Sequence, residues 1–229
     1  MSTDDVARVR AHFKEGRYDA RFSLDRPHVR WAWSRLTAEL GSQIDVALRR
    51  AGADPARARI LDLGCGTGRT LRWLVDRGHA RLLGADVVAP RLTDARRLVS
   101  EAPLAMADGA RLPCRDGAFD LALALTTFSS MPSEAMRRGA AAELLRVVRP
   151  GGAVICYEFS HKNAFNPHTV TVGAATLQAL FSGAEVTCRR VTLHPMVMRA
   201  LFCLGPRALA ALERIDALRS HVLVVVSRR

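Results

Sequence analysis

The chain has 229 residues and a formal net charge of +12, with 34 Lys and Arg against 22 Asp and Glu. Its length suits one α/β domain, and a hydrophobic content of 49% supplies a sizeable buried core. No apolar run approaches the roughly 20 residues of a membrane helix, and the polar start lacks the order of a signal peptide. We therefore expect a soluble cytoplasmic protein, either a monomer or a homodimer.

The positive charge leaves two kinds of partner open. Only Lys14 and Lys162 are lysines, so the remaining basic residues are arginines, dispersed as single residues and pairs. Such a distribution favours a solvated basic surface, or attraction to an anionic substrate, over a dedicated track for RNA. The five cysteines lie far apart, with no CxxC pair or Cys/His cluster, and predict reduced thiols with no metal site.

The first elements in the chain are helical. A short helix is predicted around residues 3–15, and residues 25–51 read as one long amphipathic helix. Its apolar residues recur at spacings of three and four, which is the helical period. They are Trp33, Leu36, Leu40, Ile44 and Leu48.

Strands and helices then alternate. Strands are predicted near 59–63, 80–85, 103–107, 119–125 and 152–159, and helices at about 69–77, 90–100 and 134–148. The last helix runs into "RPGG", where Pro150 should stop it and Gly151 should cap it. Nearly continuous apolar strands separated by helices indicate a parallel sheet covered on both faces.

The tail has a different pattern. Residues 184–193 and 221–228 read as strands, predicted to form an antiparallel pair that closes the sheet edge. The apolar stretch 194–220 between them is expected to be mostly helical, as an acceptor lid, a dimer contact, a membrane-surface contact or simple core. We divide the single domain into a helical cap (1–57), a cofactor-binding core (58–160), and an acceptor loop, lid and final strands (161–229).

A glycine loop, "ILDLGCGTGRT" at 60–70, follows the first strand. Its glycines allow a tight turn and let a ligand lie against the main chain. Arg69 stands where the dinucleotide fingerprint wants Gly or Ala, and no phosphate-loop lysine follows. Asp62, just before the loop, would repel a pyrophosphate and suits a cationic group.

Two further acids follow the next two strands. Asp86 lies 18 residues beyond Gly68, where an acid accepts hydrogen bonds from ribose hydroxyls. Asp108 follows the third strand. Together with Asp62, at successive carboxyl ends of strands, they favour a nucleoside that carries a positive charge.

Four stretches match the motifs of one enzyme family. They are the "LDLGCGTG" loop, the acid after strand two, the "D…LP…FD" pattern around strands three and four, and "LLRVVRPGG" before strand five. Over about 59–159 the chain resembles class I S-adenosylmethionine-dependent methyltransferases of the small type-11-like group. The resemblance implies S-adenosylmethionine as cofactor and S-adenosylhomocysteine as product. It also implies a Rossmann-like three-layer αβα sandwich around a seven-stranded, mostly parallel sheet whose last strand is antiparallel.

The resemblance also implies residue roles in cofactor binding. Asp62 would hold the methionine amino group with Gly64, Asp86 the ribose hydroxyls, and Asp108 the adenine amino group. Gly66 and Gly68 would leave room for the cofactor. The full expected set is Asp62, Gly64, Gly66, Gly68, Asp86, Val87, Ala107, Asp108, Gly109, Thr126 and, in the N-terminal segment, Tyr18.

The methyl acceptor should enter over the carboxyl ends of the strands. The segment after strand five, "YEFSHKNAFNPHTVTVG", is dense in groups that orient a substrate. His161 is the first choice for a general base, with a polar loop histidine as the alternative. Trp31 and Trp33 point to different helix faces, so one is core and the other free to line a pocket. The predicted substrate contacts are Arg21, Trp31, Tyr157, Glu158, Asn163, Asn166 and His168.

Three functions remain open at this point. The first is O- or N-methylation of a small molecule, such as a secondary metabolite, a sugar or a lipid-linked intermediate. The second is an RNA methyltransferase, suggested by the charge, although the Asn/Asp-Pro-Pro-Tyr/Phe tetrad of many base-amino methyltransferases is absent. The third is a non-catalytic cofactor-binding protein.

Overall fold

One seven-stranded sheet forms the centre of the molecule in a computed structural model that describes residues 3–13, 23–161 and 169–229. The strands are β1 (Arg59–Leu63), β2 (Arg81–Asp86), β3 (Leu104–Met106), β4 (Phe119–Leu125), β5 (Val148–Phe159), β6 (Glu185–Leu193) and β7 (Arg219–Ser227). Apart from the start of β5, every strand begins and ends within two residues of its predicted bounds.

The strand order across the sheet is β3-β2-β1-β4-β5-β7-β6. Neighbours are parallel except for β7, which runs antiparallel to both β5 and β6. The predicted mostly parallel sheet with an antiparallel last strand is therefore confirmed. Chain order reverses direction between β1 and β4, and open α/β sheets bind ligands beyond the carboxyl ends of the strands at such a point.

Helices cover both faces of the sheet, as the three-layer prediction requires. They are α1 (Thr3–Phe13), α2 (Pro27–Arg50), α3 (Arg69–Asp76), α4 (Ala89–Leu98), α5 (Glu134–Val147), α6 (Ala174–Leu180), α7 (Pro195–Ala200) and α8 (Gly205–Leu212). One core cluster lies under α2, α3 and α4, and the other under α5 and α6. Successive strand residues feed opposite clusters because side chains alternate across a sheet, with Leu121 and Leu123 on one face and Ala122 and Ala124 on the other.

The predicted stop at "RPGG" is wrong in detail. Helix α5 ends at Val147, and the chain enters β5 at once, so Pro150 and Gly151 lie inside the strand. The pairing with β4 slips here, from Phe119–Val148 to Leu121–Ala153. The extra residues form a bulge, which accommodates a proline without an N–H group and a glycine at φ +78°.

The segment between β6 and β7 packs against the start of α2. Met198 on α7 and Leu209 on α8 are buried in a third, smaller cluster, and Trp31 packs on it. This confirms the predicted helical content of the segment. No helix in the described ranges is long and apolar enough to cross a membrane.

Candidate active site at the carboxyl ends of the strands

A cleft of about 1180 Å³ opens where the carboxyl ends of β1, β2, β4 and β5 meet. Its wall includes the glycine loop, the residues after β2, β3 and β4, the first turns of α2, and α7. Small-molecule sites typically measure about 300–1000 Å³. The cleft therefore has room for two ligands side by side.

The glycine loop forms one wall, and two of its glycines are required by close contacts. Gly64 and Gly66 lie in the left-handed region, at φ +74° and +55°. A side chain at Gly64 would come within 2.6 Å of Thr127 Oγ1, and one at Gly66 within 2.7 Å of the Arg91 guanidinium. The backbone of this wall is therefore bare where it faces the cleft.

Gly68 has a packing role besides the one predicted. It is not part of the cleft wall, and it precedes α3 with φ +86°. A side chain there would lie 3.1 Å from Ala95 and 3.2 Å from Val99. Gly68 therefore lets the start of α3 pack closely on α4, and its role in making room for the cofactor stays a prediction.

Asp62, at the end of β1, is not itself in the cleft wall but lies buried directly behind the glycine loop. Asp62 is 1% exposed, and its Oδ2 has no hydrogen-bond partner among the described residues. Burial, and then the negative charge of Asp86, raise the pKa of Asp62 to about 7. A buried polar atom without a partner is costly. A cationic ligand group beside the glycine loop would satisfy it.

Asp86 holds the loop in place from the end of β2. Its Oδ2 accepts a hydrogen bond from the Gly66 N–H, and its Oδ1 accepts one from the Val88 N–H, both at 2.8 Å. Asp86 and Val87 both line the cleft, as predicted. Each carboxylate oxygen has a second lone pair, so Asp86 can also accept from a ligand diol.

The residues after β3 lie only partly where the sequence suggested. Ala107 and Gly109 are in the cleft wall, but Asp108 between them is not. The Asp108 Oδ1 accepts a hydrogen bond from the Ala110 N–H at 2.9 Å, which stabilises the turn. A contact from Asp108 to an adenine amino group stays a prediction.

The turn after β4 contains a feature that the sequence did not reveal. Thr126, in the wall as predicted, has φ +55°, which is rare for a β-branched residue. The neighbouring Thr127 donates from its hydroxyl to the Leu63 carbonyl at 2.8 Å. This bond joins the ends of β1 and β4 at the base of the cleft. Strained backbone of this kind clusters at functional sites.

Tyr157 and Glu158 were both predicted to contact the substrate, but only Tyr157 lies in the wall. Adjacent residues of a strand face opposite sides of the sheet, so Glu158 points away. It is fully buried and accepts hydrogen bonds from the N–H groups of Phe128 (2.6 Å) and Ser129 (3.2 Å). Burial raises the pKa of Glu158 to about 7. Its role is to anchor the turn after β4.

The predicted general base lies outside the cleft wall. His161 is exposed, and its Nδ1 shares a hydrogen bond with Ser160 Oγ at 3.1 Å. The histidines in the wall are His28, His194 and His221. Sequence patterns gave no signal for them, since each is a lone histidine brought to the cleft by a different element.

His221 is held in a small hydrogen-bonded network. Its Nδ1 lies 2.9 Å from Thr192 Oγ1 and 3.0 Å from Ser220 Oγ, and Thr192 Oγ1 lies 2.9 Å from the Tyr157 hydroxyl. The His221 ring stacks on Tyr157 at 4.6 Å. Thr192 has φ +53°, the second non-glycine residue in the left-handed region within the described part of the chain. The network fixes two polar rings in the wall.

The wall histidines are kept neutral by their surroundings. Burial is the main cause that lowers the pKa of His28, His194 and His221. For His221, added repulsion from neighbouring histidines brings the pKa to about 3. These rings can therefore hydrogen-bond to a ligand at neutral pH without carrying charge, and they are weak bases.

Trp31 was predicted to contact the substrate, but Trp33 is the tryptophan that lies in the cleft wall. Trp33 lines the cleft, with the Arg69 guanidinium 5.5 Å from its ring, and Trp31 packs in the cluster under α7 and α8.

The thiol of Cys65 is also in the wall, and burial raises its pKa, so it is no thiolate nucleophile. The remaining predicted residues lie outside the described ranges: Tyr18, Arg21, Asn163, Asn166 and His168.

Comparison with known proteins shows which family this chain is similar to. A family model described as a methyltransferase domain matches residues 61–156. The demethylmenaquinone methyltransferase of Parafrankia sp. is 30% identical over 180 residues, which cover 70% of this chain and 67% of that protein. The chloroplastic tocopherol O-methyltransferase of Arabidopsis thaliana is 32% identical over 131 residues, covering 52% of this chain and 37% of that protein.

Other matches are partial or structural. The chain spans between 37% and 51% of the length of three curated relatives, among them the tocopherol enzyme. The solved geranyl diphosphate C-methyltransferase from Streptomyces coelicolor has a TM-score of 0.61 at 16% identity, covering 82% of this chain and 77% of that one. At that identity the likeness shows the shared fold alone.

Proposed function

This chain belongs to the class I S-adenosylmethionine-dependent methyltransferases, and we propose that it methylates an oxygen or nitrogen atom of a small molecule. Acceptors of this kind include secondary metabolites, sugars and lipid-linked intermediates. The observation that carries the proposal is Asp62, a buried carboxylate behind the glycine loop whose Oδ2 lacks a partner within the described part of the chain. A ligand with a cationic amino group beside a nucleoside fits that site, and S-adenosylmethionine has both.

The residues of the cofactor half divide the binding between them. Asp62 would accept from the methionine amino group, and Asp86 from the ribose hydroxyls. Gly64 and Gly66 leave the main chain open to the ligand, while Val87 would flank the adenine. When bound, S-adenosylmethionine supplies a methyl group on a positively charged sulfur, already activated for transfer.

The acceptor half orients the nucleophile. Tyr157 and His221 present polar ring atoms on a rigid network, so an acceptor O–H or N–H can bond to them in one orientation. A histidine with a pKa of about 3 is a weak base, so His221 would act mainly as a hydrogen-bond acceptor. The acceptor should therefore be a good nucleophile by itself, such as an amine or an acidic hydroxyl.

RNA methylation is the second candidate, favoured by the net charge of +12. The excess charge is dispersed, however, because several arginines are interspersed with acids and pair with them, as in Arg146 with Glu143 and Asp116, and Arg72 with Asp76 and Glu101. RNA binding would also make acceptor affinity fall steeply with salt.

The test is transfer of labelled methyl from S-adenosylmethionine into a host-cell extract, followed by separation into organic, small aqueous, RNA and protein fractions. The proposal expects label in the organic or small aqueous fraction with wild-type protein and far less with Asp62→Asn. Nuclease-sensitive label in the RNA fraction would favour the second candidate. If S-adenosylmethionine does not bind and no fraction is labelled, the proposed function is wrong.

A further inference from the structure

The cleft wall has a marked excess of positive charge. Among the described residues it contains four arginines, Arg26, Arg69, Arg91 and Arg199, against a single carboxylate, that of Asp86. Both oxygens of Asp86 already accept backbone N–H groups at the cofactor end. Arg69 and Arg91 lie over aromatic rings near the glycine loop. The other two arginines lie elsewhere in the wall.

Arg26, His28 and Arg199 all line the cleft, and both arginines lie close enough to His28 to act on its charge. Arg26 directly precedes α2, His28 is in its first turn, and Arg199 is on α7. The His28 ring lies 6.1 Å from that of Phe202, just after α7, which brings the two elements into contact. The positive charges of both arginines lower the pKa of His28. Three basic side chains therefore share one corner of the cleft.

Within the described ranges neither arginine of this corner forms an ion pair. Among the described residues no carboxylate pairs with Arg26 or Arg199, and the adjacent Asp25 accepts a hydrogen bond from the Ser23 hydroxyl. Some arginines elsewhere on the surface do have an acidic partner, for example Arg77 with Asp45 at 2.9 Å. Two like charges next to each other are unfavourable, and a bound anion would relieve the repulsion.

The surroundings of this corner are apolar and belong to α2 and α7. Val29, Ala32 and Leu36 of α2, with Met196 and Met198 of α7, form the wall beside it. Helix α7 follows β6, the outermost strand on one side, whereas the glycine loop and Asp86 belong to β1 and β2 on the other side of β4. An anion held here would belong to the acceptor.

The geometry points to a subsite, made of Arg26, His28 and Arg199, that binds the carboxylate or phosphate of an amphipathic acceptor. The apolar body of that acceptor would lie against α2 and α7, with its nucleophile toward Tyr157 and His221. This inference rests on the proposed function, because it assigns the acceptor a chemical class. Guanidinium groups suit both anions, since they offer two parallel N–H donors.

The experiment titrates three naphthyl probes into protein saturated with S-adenosylhomocysteine: 2-naphthoate, 2-naphthyl phosphate and the neutral 2-naphthamide. At least one anion should bind about tenfold more tightly than the amide, and the better one identifies the group. Arg26→Gln and Arg199→Gln should each reduce the preference about fivefold, as expected for one partly exposed ion pair. The charge-matched control is Arg115→Gln, because Arg115 is exposed and lies outside the cleft wall. This variant should keep the full preference for anions over the amide.

Several results would overturn the subsite. The first two are equal binding of the amide and the anions, and no binding of any probe. The third is an equal loss of the preference for anions in Arg115→Gln. The fourth is weaker S-adenosylhomocysteine binding in Arg26→Gln and Arg199→Gln, which would assign the arginines to the cofactor carboxylate. S-adenosylhomocysteine affinity of the wild type is measured first. Its absence would reject the proposed function, whereas its presence without anion preference rejects the subsite alone.

Discussion

Two buried carboxylates lie near the cleft and differ in one respect. Asp62 on β1 and Glu158 on β5 are both almost fully buried, and burial raises the pKa of each to about 7. Glu158 accepts hydrogen bonds from the N–H groups of Phe128 and Ser129, whereas no described residue provides a partner for the Oδ2 of Asp62. Burial and pKa alone would make both look functional. The hydrogen-bond partners show the difference. Backbone N–H groups of the protein satisfy Glu158, whereas Asp62 requires a hydrogen-bonding group from a ligand.

The largest expected effect separates the two carboxylates by stability. The pKa of Asp62 is about 7 in the folded protein against an ordinary value of 3.8 for an exposed aspartate, so the unfolded chain loses its proton first as pH rises. The free energy of unfolding should therefore fall between about pH 4 and 7 and stay low above. Asp62→Asn removes this cost and should stabilise the ligand-free protein at pH 8 by up to about 4 kcal/mol.

This prediction is checked by urea unfolding at pH 4 and pH 8. The two proteins should be similar at pH 4 and differ at pH 8. Asp94→Asn, at an exposed position of α4, is the control and should change little. A less stable Asp62→Asn protein at pH 8 would mean that Asp62 has a partner within the fold.

The same substitution should have the opposite effect on cofactor binding. Removing the charge that meets the methionine amino group should weaken S-adenosylmethionine binding by about 2–3 kcal/mol, or roughly 30- to 150-fold. Isothermal titration measures it, again with Asp94→Asn as control. Unchanged affinity would remove Asp62 from the binding site.

Glu158→Ala tests the other member of the pair. It leaves two buried N–H groups without an acceptor, so the free energy of unfolding should fall by about 2 kcal/mol. Cofactor affinity of the folded fraction should stay within about threefold, since Glu158 faces away from the cleft. A large loss of affinity with little loss of stability would give Glu158 a direct role in the site.

The smallest effects concern two histidines of the acceptor half. His221→Phe keeps the ring on Tyr157 but removes its nitrogen atoms, and should lower kcat/KM for the acceptor about tenfold, the loss of one oriented hydrogen bond. His161→Phe makes the same change at an exposed position and should leave kcat/KM within about twofold. The reverse order would restore His161 as the base.

The parts of the molecule that sequence predicted best depend on local patterns. The apolar period of α2 and the runs that became β1 and β4 are short-range signals, and the order of strands and helices followed from them. The glycine loop and Asp86 were found because their chemistry is confined to a strand end. The fold and most of the cofactor half could be predicted in this way.

The acceptor half could not be predicted because it is assembled from distant segments. His221 reaches Tyr157 only because β7 inserts between β5 and β6. Tyr157 and Glu158 are adjacent in sequence, and which of them faces the cleft depends on the register of β5. Gly68 belonged to a recognised motif, yet its contacts are with α4.

The most direct test of the account is the pH dependence of S-adenosylhomocysteine affinity for wild type and Asp62→Asn between pH 5.5 and 7.5. S-adenosylhomocysteine has the same positively charged amino group, so it should bind the ionised carboxylate. Wild-type affinity should rise with pH by up to about tenfold per unit until about pH 7, while Asp62→Asn shows no such rise. A flat wild-type profile, or the same rise in both proteins, would contradict the claim that Asp62 meets the cofactor.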